Sequence, residues 1–258
     1  MPSLTMNTVT DRTTWLRGDR FHCLQPPVST DRQWRLVLLG PPGVGKGTQA
    51  RLLEASLGAC PLSTAEVFRA VFERSPTLTM AYAQERMNRG LLLADDFVLD
   101  LVRNRRACLR CPAGFLLDGF PRTLAQAAAL DALLALEHTA LDAVISYDLP
   151  FPDLIARMTG RRVCPRCHAI YHLASRPPKT SGRCDHCGGE LVHLPDDEPT
   201  AIRTRLIAYT EATEQVEVYY RRAALLITVS AADDPQLVLA RTLALLADRG
   251  LPVPARSA

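Results

Sequence analysis

Four short apolar runs punctuate the chain: RLVLLG at residues 35–40, GFLL at 114–117, AVISY at 143–147 and LLITV at 225–229. None alternates between apolar and polar positions, which is the pattern of a strand covered on both faces in a parallel sheet. Helix-like segments lie between them, among them residues 45–57 and the Ala/Leu-rich run 124–136. Strands regularly separated by helical spans predict an α/β domain with a doubly wound parallel sheet and helical crossovers. Two stretches interrupt the rhythm, a helical one between residues 63 and 89 and one rich in Cys, Gly and Pro between 160 and 197. Both are read as insertions. Residues 1–33 are polar, contain Pro26-Pro27 and show neither strand nor helix periodicity, so they are expected to form a mobile extension without chemistry of its own. The expected organisation is that extension, then one domain over 34–258, with a core of 34–62, 94–159 and 198–250 and insertions at 63–93 and 160–197. No repeat of fixed period is visible.

Composition narrows the class. With 258 residues, 47% apolar and 22% charged, the chain is neither disordered nor fibrous and is long enough for one core with small insertions. A formal charge of +3 is too slight to point to nucleic acid or an anionic membrane as partner. No run approaches the roughly 18 apolar residues of a membrane span, and MPSLTMNTVTDRTTWLRGDR lacks the apolar stretch of a signal peptide, so the expected location is the cytoplasm. Of eight cysteines, four fall in two C-x-x-C pairs, which in a reducing compartment reads as metal binding.

The strongest local signal follows the first run. Gly40-Pro41-Pro42-Gly43-Val44-Gly45-Lys46-Gly47-Thr48 lies between a strand and a helix, the context of a P-loop. Its glycines let backbone N–H groups converge on one anion, the helix N-terminus adds positive potential, and Lys46 brings a movable charge to the β/γ phosphates. The general pattern places Ser or Thr directly after the lysine, whereas here Gly47 intervenes before Thr48. In that detail GPPGVGKGTQ resembles the P-loop of the adenylate kinases, nucleoside monophosphate kinases, and the resemblance continues over residues 35–245.

The resemblance implies an ATP site at Gly43, Val44, Gly45, Lys46, Gly47 and Thr48, with Arg157 against the ATP adenine and Arg161 and Tyr171 arriving with a lid. It implies an AMP site at Thr64, Arg69, Leu93, Gly119, Arg122, Gln126 and Arg205. GFLLDGFPRTLAQ at residues 114–126 is nearly identical to the family signature, with Asp118 orienting the water shell of Mg²⁺, Arg122 reaching transferring phosphate and Gln126 reading the adenine edge. Lys46, Asp118, Arg122, Arg161 and Arg205 are therefore the expected catalytic set, because phosphoryl transfer is catalysed mainly by cations placed around an in-line γ-phosphate. Three positions depart from the family: Ala65-Glu66 stands for Gly-Asp, Ser230-Ala231 stands where a glycine is usual, and Leu194 occupies the place of an arginine two residues ahead of Asp196-Asp197. The last predicts reduced turnover unless Arg162 or Arg203 substitutes.

Cys164-Pro165-Arg166-Cys167, sixteen residues, then Cys184-Asp185-His186-Cys187 has the two-knuckle spacing of a closed tetrahedral Cys₄ zinc site, structural in kind. His168 and His186 are alternates. Zinc-bearing lids of this form occur in the adenylate kinase family. Arg161, Arg162, Arg166, Arg176, Lys179 and Arg183 make the region basic, which also suits a nucleic-acid-binding ribbon, but an anionic nucleotide accounts for the charge equally well. Cys108 and Cys111 form a third C-x-x-C without a second pair nearby, and with Cys23 and Cys60 they are read as small buried hydrophobes. The expected protein is a monomer converting ATP and AMP to two ADP, with Mg²⁺ on the nucleotide and structural Zn²⁺ in the lid, and without nucleic acid or membrane partners. The alternatives are a UMP/CMP-type kinase and a catalytically weak nucleotide-binding regulator.

Overall fold

The computed structural model describes residues 12–18, 32–74, 77–167, 169–251 and 253. Cys23 and His168 lie outside them. In chain order the elements are α1 (Thr13–Arg17), β1 (Trp34–Leu39), α2 (Lys46–Leu57), β2 (Cys60–Ser63), α3 (Thr64–Arg74), α4 (Leu78–Asn88), α5 (Asp95–Arg103), β3 (Gly114–Asp118), α6 (Leu124–Leu136), β4 (Ala143–Asp148), α7 (Phe151–Thr159), β5 (Arg161–Val163), β6 (Ile170–His172), α8 (Pro199–Ala208), α9 (Glu214–Arg222), β7 (Leu226–Ser230) and α10 (Pro235–Asp248).

Five strands pair in parallel in the order β2-β3-β1-β4-β7. The four apolar runs are four of these strands, and the continuous apolar pattern has the expected cause. Along β1, Leu36 and Leu38 enter one buried cluster while Val37 and Leu39 enter a second on the opposite face. Helices cover both sides, so apolar positions dominate, and the buried Ser146 of β4 is accommodated by donating to Glu217 Oε1 at 2.8 Å. The fifth strand, β2, has no apolar run to announce it. It is four residues long and contains Pro61, whose missing N–H is acceptable because β2 sits at the sheet edge with β3 as its neighbour.

The register brings the carboxyl ends of the strands together, with Ser63 beside Asp118 and Leu38 beside Asp118 from the other side. In open parallel sheets this is the edge where ligands bind. Gly40 leaves β1 there with φ +132°, and a Cβ would stand 2.4 Å from the Tyr147 carbonyl, so only glycine lets the loop cross β4 this closely.

Residues 160–197 hold the two-stranded antiparallel sheet β5-β6 and a small cluster of their own, Cys164, Tyr171, Cys184 and Leu191. Cys60 and Cys108 are buried and Cys111 is half-buried against the main core, in keeping with the reading of these three as hydrophobes.

The extension differs from expectation in one stretch. Residues 13–17 form a helical turn with Trp15 1% exposed inside the main core. Five residues are too few to print a period, and what fixes them is burial of one large ring. No helix among the described residues is long and apolar enough to cross a membrane.

Candidate active site

The P-loop leads from β1 into α2, whose N-cap is Gly45 at φ +108°. Lys46 is half-buried and donates to the Gly40 and Pro41 carbonyls at 2.7 and 3.0 Å. Burial pushes its ammonium down to about 8, Asp118 pulls it up, and the charges of Arg122, Arg205 and Arg161 press it down further. All four sequence-predicted cations therefore act on one space. Arg205 is likewise held down, to about 10, by burial first, with Arg161 and Arg122 adding to it against the pull of Asp196. Cations that lower one another's affinity for protons, in a partly dry cleft, form a site that gains from an anion.

The arginines are aimed by carboxylates and carbonyls. Arg161 makes a two-pronged pair with Asp197, Nε to Oδ2 and Nη2 to Oδ1 both at 2.6 Å, and Arg205 Nη1 reaches Asp196 Oδ2 at 2.7 Å and Asp197 Oδ1 at 3.7 Å. Asp197 is 0% exposed and the Arg161 side chain 24% exposed. Asp197→Ala would leave Arg161 without its fork, and we expect unfolding in urea to register a loss of about 2–3 kcal/mol, below the ~3–5 of a wholly buried pair because Arg161 keeps some water. An unchanged unfolding midpoint would rule out a supporting role for the pair.

Arg122 donates from Nε to the Gly119 carbonyl at 2.9 Å. Gly119, at φ +83°, lies so close that a Cβ would meet Thr64 Oγ1 at 2.8 Å and Arg122 Nη2 at 3.3 Å. Thr64 Oγ1 in turn donates to the Asp118 carbonyl at 3.3 Å. Thr64, Asp118, Gly119 and Arg122 are thus one packed group at the ends of β2 and β3. Burial pushes the Asp118 carboxyl up, and Lys46, Arg122 and Arg69 are among the charges pulling it back. Arg69 is exposed on α3, and Leu93 packs half-buried against the core. On the opposite side Arg157 donates to the Val44 carbonyl at 3.2 Å and to the Ala231 carbonyl at 2.9 Å, spanning from P-loop to the end of β7. Together the P-loop, Gly119, Arg122 and Arg205 line a cleft of about 490 Å³ open to solvent.

Two of the expected site residues have partners within the chain. Gln126 is 3% exposed and already bonded at both ends, its Oε1 accepting from the Arg122 N–H at 2.8 Å and its Nε2 donating to Asp95 Oδ1 at 2.8 Å. Here it braces Arg122. The Tyr171 ring is turned into the 160–197 segment, with its hydroxyl 3.6 Å from Cys184 Sγ and accepting from the Asp185 N–H at 2.8 Å. Its side chain belongs to that segment's core because a cluster so small needs every apolar ring it has. Neither candidate substitute for the absent arginine at 194 joins the cations acting on Lys46: Arg203 is exposed, and Arg162 folds onto the Thr159 and Arg161 carbonyls at 3.1 and 2.6 Å.

Several site residues escaped the sequence. Asp95 accepts from Thr123 Oγ1 at 2.9 Å as well as from Gln126, yet in sequence it is an ordinary acidic residue in a helix's first turn. A π-turn, Tyr209–Thr213, interrupts the α8-to-α9 helix where Tyr209 and Thr213 line the cleft, and Thr213 Oγ1 donates to the Arg122 carbonyl at 3.1 Å. Such bulges gather at functional sites but have no sequence pattern.

The four cysteine sulfurs lie within 4.8 Å of one another, with Cys164 to Cys187 at 3.5 Å and Cys167 to Cys184 at 3.4 Å. Tetrahedral arms of about 2.3 Å place thiolates about 3.8 Å apart, so the donor set is compatible with zinc. Burial raises the Cys184 thiol, but bonds from Tyr171 and from backbone N–H groups outweigh it and lower the group, while burial and the neighbouring thiols raise Cys167.

A family model described as "Adenylate kinase" matches residues 38–225, which include every one of these cleft residues except Ala231. The chain belongs to the adenylate kinase family. Among its relatives in the family, the adenylate kinase of Desulforamulus reducens is 42% identical over 204 residues, covering 79% of this chain and 95% of that protein. That of Moorella thermoacetica is 44% identical over 207 residues, 80% and 95% of the two chains, and that of the archaeon Methanocella arvoryzae 43% over 195, 76% and 90%.

Proposed function

We propose that the protein moves the γ-phosphate of ATP onto AMP, giving two ADP, with the donor phosphates on the P-loop and the acceptor between Thr64, Arg69, Arg122 and Arg205. The observation that carries it is the convergence of Lys46, Arg122 and Arg205 on one cleft beside Asp118, with the charge of Arg161 also felt at Lys46. These cations match the charge that spreads over the equatorial oxygens during in-line transfer, and being fixed beforehand they need no reorganisation at that moment. Arg122 is buttressed by Gln126 and Thr213 and is the cation best held for the transferring group. Arg157 offers a flat guanidinium beside Ala231 on which the ATP adenine can rest.

Mg²⁺ would be held with the nucleotide by the Thr48 hydroxyl and the water shell that Asp118 orients, supplying charge neutralisation at the β/γ phosphates. Asp118 suits this because a cation relieves the cost of burying its carboxylate. Residues 160–197 act as a lid stapled by Zn²⁺ on Cys164, Cys167, Cys184 and Cys187. Tyr171 supports those thiolates, so contact between this segment and ATP falls to Arg161 and to backbone. Residues 63–93 form the acceptor-binding insertion, and closing it and the lid excludes water, favouring AMP over hydrolysis. Every group named comes from one chain, and a monomer suffices.

The test is coupled-assay phosphotransfer from Mg-ATP to AMP, UMP, CMP and GMP. AMP-dependent ADP formation well above the other acceptors is expected. Preference for UMP or CMP would move the chain to the pyrimidine kinases, and ATP binding without transfer to any acceptor would make it a nucleotide-binding regulator.

A further inference from the structure

The helical turn α1 lies ahead of the segment that matches the family, which begins at residue 38. An alignment with the Desulforamulus relative that takes in 95% of that protein covers 79% of this chain. Yet α1 is built into the acceptor side of the molecule. Trp15 shares a buried cluster with Val67, Val98 and Val102 and lines a small void with them and Thr64, and its indole N–H donates to the Ser63 carbonyl at 3.0 Å. Ser63 ends the edge strand β2 and immediately precedes Thr64. Arg12 pairs with Glu66 in the first turn of α3, with both side chains only about a quarter exposed, 21% and 27%. From the other side Arg105, itself 4% exposed, donates from Nε to the Trp15 carbonyl and from Nη1 to the Leu101 carbonyl at 2.8 Å. α1 therefore bridges both roots of residues 63–93: the exit at Ser63 and the return helix α5, which opens with Asp95, the carboxylate holding Thr123 and Gln126.

We propose that α1 is a positioning element for the acceptor nucleotide, fixing through Trp15 and Arg12 the turn that presents Thr64 and Arg69 and thereby setting acceptor affinity. The proposal rests on the acceptor site assigned above. It works through geometry and charge together. An edge strand is held on one side by its single neighbour, so the indole bond to Ser63 and the ring beneath Thr64 limit how far the β2-to-α3 turn can move. Glu66 stands one helical turn before Arg69, and its negative charge is felt at Asp118. An unpaired carboxylate there would oppose an incoming phosphate monoester, and Arg12 neutralises it. Glu66 is also one of the positions where the chain departs from the family pattern, so the longer acid and its basic partner are accounted for together.

The experiment is steady-state kinetics with AMP varied at saturating Mg-ATP and the reverse, on wild type, Arg12→Ala, Arg12→Lys, Trp15→Phe, Glu66→Gln and the double variant Arg12→Ala/Glu66→Gln, with thermal unfolding of each. Arg12→Ala and Trp15→Phe are expected to raise KM for AMP about three- to tenfold while KM for ATP stays within about twofold. Arg12→Lys recovers most of the loss, and in the double variant removing the carboxylate recovers part of what Arg12→Ala loses. Unaltered KM for AMP in both single variants, with only the unfolding temperature lowered, would reduce α1 to a structural clamp and overturn the proposal. Equal rises in both KM values would overturn it as well, since they report general loosening. If the wild type itself shows no transfer to AMP, the acceptor reading fails first and the positioning role falls with it, a result visible before any variant is compared.

Discussion

Lys46→Ala should keep its fold and lose phosphotransfer by about three orders of magnitude or more, a loss of the size seen when a preorganised charge is removed from the transferring group. The fold should survive because Lys46 is a net cost to the free protein. Burial and three neighbouring arginines hold its ammonium down to about 8 against the usual 10.5, and the bonds it gives up are two, to the Gly40 and Pro41 carbonyls. The same shift gives the prediction a pH signature. A bound polyphosphate favours the charged lysine and raises its pKa, so the complex holds a proton that the free protein releases above pH 8. Affinity for ATP is therefore flat below about pH 8 and falls with rising pH, approaching tenfold per unit, until the lysine titrates in the complex too. Isothermal titration from about pH 6.5 to about 9.5 checks this. The decline should be present in wild type and absent in Lys46→Ala; the same decline in both would mean that another group titrates.

Cys184→Ala should release the metal, taking zinc content from about one atom per chain to none, and with it the order of residues 160–197. Among the described residues their own buried cluster is four side chains, two of them cysteines, and their sheet is a three-residue pair of strands. That is far below what holds a unit together without a staple. Arg161 opens β5, so disorder there removes one of the four cations from the cleft and uncouples the Asp197 fork. We expect kcat/KM to fall about a hundredfold, with new protease cleavage confined to 160–197 and the main unfolding transition retained. A strong chelator should do the same to wild type. Full activity in a metal-free, protease-resistant variant would show that the thiol cluster orders this segment unaided.

Departure from the family at residue 194 now has a local context. Leu194 precedes the Pro195–Asp197 turn that supplies both carboxylates to Arg161 and Arg205, and neither Arg162 nor Arg203 reaches the cleft. Arg122, Arg161 and Arg205 are the arginines that act on Lys46, and a lower turnover than that of a Leu194→Arg variant is the expected result of the phosphotransfer assay.

What was legible in the chain were features whose cause is local. The P-loop is a run of glycines and one lysine between a strand and a helix, the two Cys-x-x-Cys knuckles are cysteine spacings, and β1, β3, β4 and β7 announce themselves because strands packed between helices are mostly apolar. Elements whose cause is distant were hidden. β2 tolerates Pro61 only because it lies at an edge, α1 exists because Trp15 is buried against α3 and α5, and the π-turn at Tyr209–Thr213 leaves no composition signal. Resemblance to the family could name Gln126 and Tyr171 as site residues, but not that Gln126 spends both ends of its amide on Arg122 and Asp95, or that the Tyr171 ring faces the thiolates. The sequence by itself determined the fold class, the phosphate cradle and the four thiolates, since each is specified by neighbours along the chain. Only the tertiary structure decided which cations share one space, what aims them and how α1 reaches the end of β2 and the start of α3, because burial and charge act between residues that the chain holds dozens of positions apart.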